Sequence, residues 1–136
     1  GQRFKLIEAD LHNLFPSEMK VNARRGHLPF GEVIEERYPA AAPSKIGRGA
    51  EGREVVEPRD ERKGDVARAL IYMAAQWALR WPSPHAALLT RWSELDPPDA
   101  YEKRRNELVE GLQGNRNPLV DCPSSLPRVI ERLALP

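Results

Sequence analysis

The sequence predicts an α+β protein that is mainly helical. Apolar residues recur every three to four positions through much of 65–135, which is the period of helices with one buried face. Thirteen prolines and nine glycines interrupt the chain, most densely between 28 and 64. With 136 residues, the chain suits one compact domain. We therefore expect a single domain over residues 1–136, with a small N-terminal unit, a loop-rich middle and a helical C-terminal half.

The N-terminal residues favour one short strand or extended segment within 3–15, because Phe4 and Leu6 alternate with polar neighbours. After the break at Pro16, Ser17 suits a helix N-cap and Gly26 suits the position just beyond a helix end. These residues predict a short helix over 17–25.

The middle of the chain, residues 28–64, is rich in proline, glycine and charge. We expect a long connection there, with one short strand within 51–56. Connections of this length are often functional.

The strongest helix is expected over 65–81, before Pro82. A second should begin at Ser83-Pro84 and stop at Asp96, since proline is favoured in the first helical turn. The apolar residues expected to face inward from these two helices are Val66, Leu70, Met73, Ala74, Trp77, Trp81, Leu88, Leu89, Trp92 and Leu95.

Two further helices are expected at the C-terminal end. Asp99 and Glu102 resemble a capping box, and Gly114 suits the end of that helix. A last helix should run over 125–135. The residues expected to face inward are Tyr101, Leu108, Val109 and Leu112, then Leu126, Val129, Ile130 and Leu133.

Composition excludes some classes of protein. Cys122 is the single cysteine, so an internal disulfide framework and a cysteine-based zinc cluster are excluded. No apolar run approaches the ~20 residues that span a bilayer. The net charge of +1 neither requires nor excludes a nucleic-acid partner. Gly1-Gln2-Arg3 leads directly into mixed polar sequence, so we expect no export signal in this stretch.

Residues that could carry chemistry concentrate in two stretches, DLHNLFPS from Asp10 and VNARRG from Val21. Asn22 would lie inside the predicted short helix, although asparagine is a mediocre helix former. A side-chain carbonyl offered to a hard ion such as Mg²⁺ would explain its place. The alternative is a solvated asparagine on an exposed face, and spacing alone favours that alternative.

Four segments in order, DLHNLFPS, VNARRGHLPFG, EPRDERKGDVARALIYM and QGNRNPLVD, resemble the motifs of the bacterial endonuclease I family. The resemblance extends from about Arg3 to Asp121, and four ordered motifs are far more specific than any one. It implies a His-Me finger (ββα-metal) nuclease unit packed on a helical C-terminal half. It further implies a non-specific endonuclease of DNA, and often of RNA, with one divalent metal such as Mg²⁺.

The resemblance assigns site residues position by position. Asn22 matches the metal ligand on the helix, and Asn13 matches the residue that ties the loop behind the site. Arg25 is a candidate phosphate contact, because a guanidinium fork suits phosphate oxygens. Arg24 is a second basic candidate without an equally clear counterpart, and Asp10 is expected to be structural at the site.

The family's first catalytic strand, with the general-base histidine and the acidic metal ligand, has no match in this sequence. We expect it upstream of Gly1, and without it little or no catalysis. His12 is a weak candidate to replace that histidine; the resemblance places it on the second strand as a hydrogen-bonded structural residue. His27 and His85 are expected near the surface.

Other basic, aromatic and polar groups have simpler explanations. The run from Lys103 to Arg105 shares its helix with three glutamates and is more often a solvated face than a DNA contact. The three tryptophans have core spacing. The QGNRNP segment, from Gln113, is a helix stop followed by a turn near the active face, and Cys122 is expected to be inert.

The sequence therefore predicts a metal-dependent endonuclease with DNA and RNA as partners, no membrane association, and a monomeric state. Family resemblance implies a periplasmic or secreted location. Two alternatives remain: a catalytically inactive nucleic-acid-binding module derived from the nuclease, and a structural or protein-interaction module.

Overall fold

The computed structural model describes residues 1–13, 28–38, 44–79 and 83–134. They fall into two compact units, Gly1–Leu14 with Gly64–Pro136, and Phe15–Lys63. We call the first the helical unit and the second the hairpin unit. The described residues are mainly helical with one small sheet, which confirms the α+β prediction. The helix predicted over 17–25 lies outside the described residues.

The chain begins with helix α1, Gln2–Ala9, where a strand or extended segment was expected. That expectation was wrong, because the alternation of Phe4 and Leu6 is too short to specify a strand. Both side chains are exposed, and α1 buries none of its residues. A helix bonds its own backbone groups without a partner strand, and the lysine, glutamate, leucine and alanine of this stretch favour it.

The hairpin unit contains three antiparallel strands in the order β1-β2-β3: β1, Glu35–Tyr38; β2, Lys45–Arg48; and β3, Glu54–Glu57. The strand expected within 51–56 is confirmed as β3, displaced toward 57. The other two strands were missed, because four-residue strands in which two or three residues are charged carry little apolar alternation. The buried apolar residues of the sheet are Ile46, Val55 and Val56.

Helix α2 spans Asp60–Gln76. A helix is confirmed where one was predicted over 65–81, but α2 begins five residues before that range and already ends at Gln76. Asp60 and Glu61 occupy its first turn, where carboxylates stabilise the positive end of the helix dipole. Of the residues predicted to face inward, Val66, Met73 and Ala74 are buried, while Leu70 and Trp77 are half-buried. Trp81 lies outside the described residues.

Helices α3, Ser83–Leu95, and α4, Ala100–Gln113, follow as predicted. The Asp99 carboxylate accepts a hydrogen bond from the Glu102 amide at 2.8 Å, which confirms the N-cap. Gly114 ends α4 in the left-handed conformation at φ 87°, which glycine adopts without strain.

The predicted inward face of α4 was mostly wrong. Val109 is buried, but Tyr101, Leu108 and Leu112 are exposed, the last at 78%. Leu95 at the end of α3 is exposed as well. The inward face of α4 carries Glu102 and Asn106 instead, because both find polar partners inside the helical unit.

The helical unit ends with helix α5, Pro118–Asp121, a 3-10 turn over Pro123–Ser125, and helix α6, Leu126–Ala134. The last helix matches the prediction for 125–135 to within one residue, and Leu126 is buried. Helix α5 was missed because the QGNRNP segment predicts a turn. The segment supplies a cap as well, since Asn117 accepts a hydrogen bond from the Leu119 amide.

Within the described part of the chain, no helix is both long enough and apolar enough to span a membrane.

Candidate functional site

A short turn of the helical unit contains three of the predicted site residues. Asp10 follows α1 and precedes a 3-10 turn over Leu11–Asn13. We call residues 10–13 the Asp10 turn. Asp10 and His12 are buried at 6% and 2% exposure, whereas Asn13 is exposed. Two buried polar side chains in four residues need hydrogen-bond partners, and those partners come from distant parts of the sequence.

The Asp10 carboxylate is the centre of the turn. Its Oδ1 accepts from the His12 amide at 3.0 Å and from Nε2 of Gln113 at 2.9 Å. Its Oδ2 accepts from Nε1 of Trp77 at 3.1 Å. Both carboxylate oxygens are therefore engaged by donors from the turn itself, from the residue after α2 and from the end of α4.

The side chain of His12 also has partners from distant parts of the sequence. Its Nε2 donates to the carbonyl oxygen of Asn115 at 2.9 Å, and its ring meets the Tyr72 ring edge to face at a centroid distance of 4.7 Å. Because a carbonyl oxygen only accepts, Nε2 carries the proton and Nδ1 is the acceptor nitrogen of the neutral ring. The side chain is only 2% exposed, so this geometry suits a structural residue better than a general base.

The remaining contacts fix the backbone of the turn. The Leu11 amide donates to Oε1 of Gln113 at 2.9 Å, and the Leu11 carbonyl accepts from the Arg105 guanidinium at 2.7 Å. Gln113 also donates to the side-chain oxygen of Asn115 at 2.7 Å. Gln113 thus bonds the side chain of Asp10, the backbone of the next residue and the loop that holds His12.

Tyr72 lies behind the turn, where its hydroxyl accepts a hydrogen bond from the Asn115 side chain. Burial raises the pKa of Tyr72 above its usual value of 10.0, and the negative charge of Asp10 raises it further. The hydrogen bond from Asn115 acts in the opposite direction. The phenol is therefore kept neutral.

A second buried polar cluster joins the helices of the helical unit. Arg68 of α2, at 0% exposure, donates to both carboxylate oxygens of Glu102 at 2.8 and 2.6 Å. It also donates to the Ser93 hydroxyl and carbonyl and to the Asp96 carbonyl. We call Arg68, Ser93, Asp96 and Glu102 the Arg68 cluster. It connects α2, α3 and α4.

The structure places the predicted site residues as follows. Asp10, His12 and Asn13 share the Asp10 turn. Asn22, Arg24, Arg25 and His27 lie outside the described residues, as does the side chain of His85. Among the residues that the structure describes, no group of three or more histidine, cysteine, aspartate or glutamate side chains could hold a metal ion. The Asp10 carboxylate, already bonded through both oxygens, does not fit such a role.

The partners of the Asp10 turn were missed from the sequence. Arg105 was assigned to a solvated basic face, yet it is half-buried and bonds Leu11. The sequence placed Tyr72 and Trp77 on a predicted helix and gave no sign that they contact this turn. The QGNRNP motif was the available signal, since it was placed near the active face, but nothing in its spacing shows which turn it contacts.

Comparison with known proteins identifies the class of protein. Residues 1–124 match the Endonuclease I family. The chain is 39% identical over 132 residues to an extracellular ribonuclease of Bacillus amyloliquefaciens, covering 84% of this chain and 44% of that protein. It is 32% identical over 126 residues to an extracellular deoxyribonuclease of Aeromonas hydrophila, covering 89% and 52% of the two chains. A periplasmic deoxyribonuclease of Aeromonas hydrophila is 31% identical, with 87% and 49% covered.

These relatives are nucleases. The chain belongs to the endonuclease I family, as its four ordered motifs predicted. It spans about half the length of the curated relatives that it matches.

Proposed function

We propose that the complete protein is a non-specific, metal-dependent endonuclease that hydrolyses phosphodiester bonds of DNA and RNA. The observation that carries this proposal is the family match over residues 1–124 together with relatives named both deoxyribonuclease and ribonuclease. A phosphodiester backbone is common to both substrates. An enzyme that contacts phosphates rather than base edges would accept both.

The proposed chemistry needs a divalent metal, with Mg²⁺ as the expected ion. When bound, the metal would stabilise negative charge on the phosphate and the leaving oxygen. Asn22 would supply a neutral oxygen ligand, and Arg25, with Arg24 beside it, would contact phosphate. We expect the acidic ligand and the general-base histidine from the family's first strand, which has no match in residues 1–136. The His-Me finger arrangement of these residues is part of the proposal.

Asp10, His12 and Asn13 have a supporting role in this proposal. They lie in the turn that precedes the segment with Asn22, and the contacts of Asp10 and His12 are with the helical unit. We expect His12 to be structural rather than the base, because its ring is buried and its Nε2 is bonded to the carbonyl oxygen of Asn115.

The decisive experiment is plasmid nicking by the product of the complete gene, with Mg²⁺ and with EDTA, beside Asn22→Ala and Gln76→Ala. Gln76 is an exposed amide at the end of α2 and serves as the matched control. We expect nicking only with Mg²⁺, at least a ~100-fold loss for Asn22→Ala, and wild-type rates for Gln76→Ala. An intact plasmid across divalent metals would contradict the catalytic proposal.

The alternative is a nucleic-acid-binding module without catalysis, which shares the basic residues and the scaffold. Nicking separates the nuclease from this module, because both would contact phosphates and both should bind DNA less tightly as salt rises. An interaction module would show no salt-dependent DNA binding. The names of the relatives support export to the periplasm or the medium as the proposed location, and a monomer remains the expected state.

A further inference from the structure

We propose that the apolar side of α1 is a docking surface for a segment of the complete protein that lies outside residues 1–136. The surface consists of Phe4 and Leu6, which are 61% and 54% exposed. Docking at this surface does not require the proposed nuclease activity, so the two proposals can fail independently.

Helix α1 has little local support. It has eight residues, whereas isolated helices shorter than about 12–15 residues are marginal in water. Arg3 and Lys5 lie in its first turn and Glu8 lies in its last, so each charge is at the end of the helix dipole that disfavours it. Packing against another part of the protein must therefore stabilise α1.

The helical unit supplies only part of that packing. The Arg3 guanidinium donates a hydrogen bond to the carbonyl oxygen of Trp77, and Ile7 is half-buried. None of the side chains of α1 is fully buried. The contacts within the described residues therefore leave most of this helix in water.

The apolar side of α1 is wider than the part that the helical unit covers. At 3.6 residues per turn, Phe4, Leu6 and Ile7 lie within about 160° of the helix circumference. Lys5 and Glu8 lie on the other side. Phe4 and Leu6 flank the half-buried Ile7 and remain exposed, which leaves two apolar edges open to a further element.

Helix α4 also exposes leucines, but its stability is accounted for. It has 14 residues and a side-chain cap at Asp99, and it buries Glu102, Asn106 and Val109. Leu112 is thus exposed on a helix that already packs through its opposite face. Because α1 buries no residue, its exposed apolar side chains need another explanation.

A segment of the same polypeptide is the occupant that this surface favours. The chain spans about half the length of the curated relatives that it matches, so a comparable length of polypeptide is available in the complete protein. Stable complexes between separate molecules bury about 800 Å² per partner, which two side chains do not supply. A tethered segment docks at high effective concentration and does not need that area.

The test places a photo-reactive group on the surface of the complete gene product, as Phe4→p-benzoylphenylalanine. The irradiated monomer is digested, and the cross-linked peptides are identified by mass spectrometry. We expect cross-links to peptides outside residues 1–136 of the same molecule. The matched control carries the same group at Leu112 and should give no such cross-link. If the Phe4 variant does not fold, the group is placed at Leu6 and judged by the same criterion.

Hydrogen exchange of two serine variants of the complete protein provides the second measurement. Leu6→Ser should accelerate exchange of the α1 amides about 10-fold, because a covered leucine stabilises the helix that carries it. Leu112→Ser removes an exposed leucine from a helix in the same way and should change exchange in α1 by less than about 2-fold.

Three results of cross-linking would overturn this proposal: links only to residues within 1–136, links only to a second copy of the protein, and no links. Equal exchange of the α1 amides in Leu6→Ser and Leu112→Ser would overturn it as well, because Leu6 would then be no more covered than Leu112.

Discussion

The two buried polar clusters of the helical unit bond different parts of its structure. The Arg68 cluster joins three helices through a full charge, and its Arg68–Glu102 contacts are charge-assisted. The Asp10 turn binds one short piece of chain to the end of a helix, largely through amide, indole and carbonyl partners. The first cluster bonds α2, α3 and α4 to one another, and the second bonds one four-residue turn to the end of α4. Polar burial therefore serves the scaffold in one place and local placement in the other.

The largest effect should come from breaking the Arg68 cluster with Arg68→Met. This change leaves the buried Glu102 carboxylate without its cation, which we expect to lower the free energy of unfolding by about 3–5 kcal/mol. Urea unfolding measures the loss. The control is Arg104→Met, whose exposed pair with Glu107 should contribute under about 1 kcal/mol. Similar losses for the two variants would refute the expectation that the buried pair of Arg68 contributes more stability than the exposed pair of Arg104.

A smaller effect is expected from Asp10→Ala in the other cluster. Three donors, from His12, Trp77 and Gln113, lose their acceptor. We expect a loss of about 2 kcal/mol in unfolding free energy, since partly buried donors left unpaired carry such a penalty. Hydrogen exchange should accelerate in residues 10–13 more than in α3. Uniform acceleration across the helical unit would contradict the local role.

The Asp10 turn should also weaken in alkali because of Tyr72. The folded state raises the pKa of this phenol, first by burial and then by the charge of Asp10. Stability from this group is therefore fully present below the unfolded value of 10.0 and is lost as pH rises through the folded pKa. Tyr72→Phe should flatten the fall in urea midpoint as pH rises above about 10.

The matched control for that measurement is Tyr101→Phe on α4. Tyr101 is exposed, so its removal should leave the alkaline slope close to that of wild type. If Tyr72→Phe and Tyr101→Phe gave the same slope, burial of the Tyr72 phenol would not be the cause of the alkaline weakening.

The smallest effect is expected for Leu112→Ser on the exposed face of α4. The side chain is 78% exposed, so we expect a change within about 0.5 kcal/mol in unfolding free energy. Val109→Ser on the buried face of the same helix should lose about 2 kcal/mol or more. Equal losses would mean that Leu112 lies on a buried face of α4, as the apolar pattern predicts.

The sequence by itself determined α3, α4 and α6 and the residues that cap α4. Asp99 and Gly114 act through local geometry, a side chain capping nearby amides and a backbone that tolerates positive φ, so both could be predicted. Four ordered motifs also determined the family. Local information failed at α1, where two alternating residues predicted a strand, and at β1 and β2, whose short charged sequences carry no clear period.

Only the tertiary structure decided which face of α4 is buried and what surrounds the Asp10 turn. Periodicity assigns apolar residues to the inside, yet Glu102 lies inside because Arg68, 34 positions away, neutralises it. Gln113 and Asp10 meet across 103 positions of sequence. Such contacts depend on three-dimensional proximity and on pairing between polar groups, and no pattern within one helix or one motif contains that information.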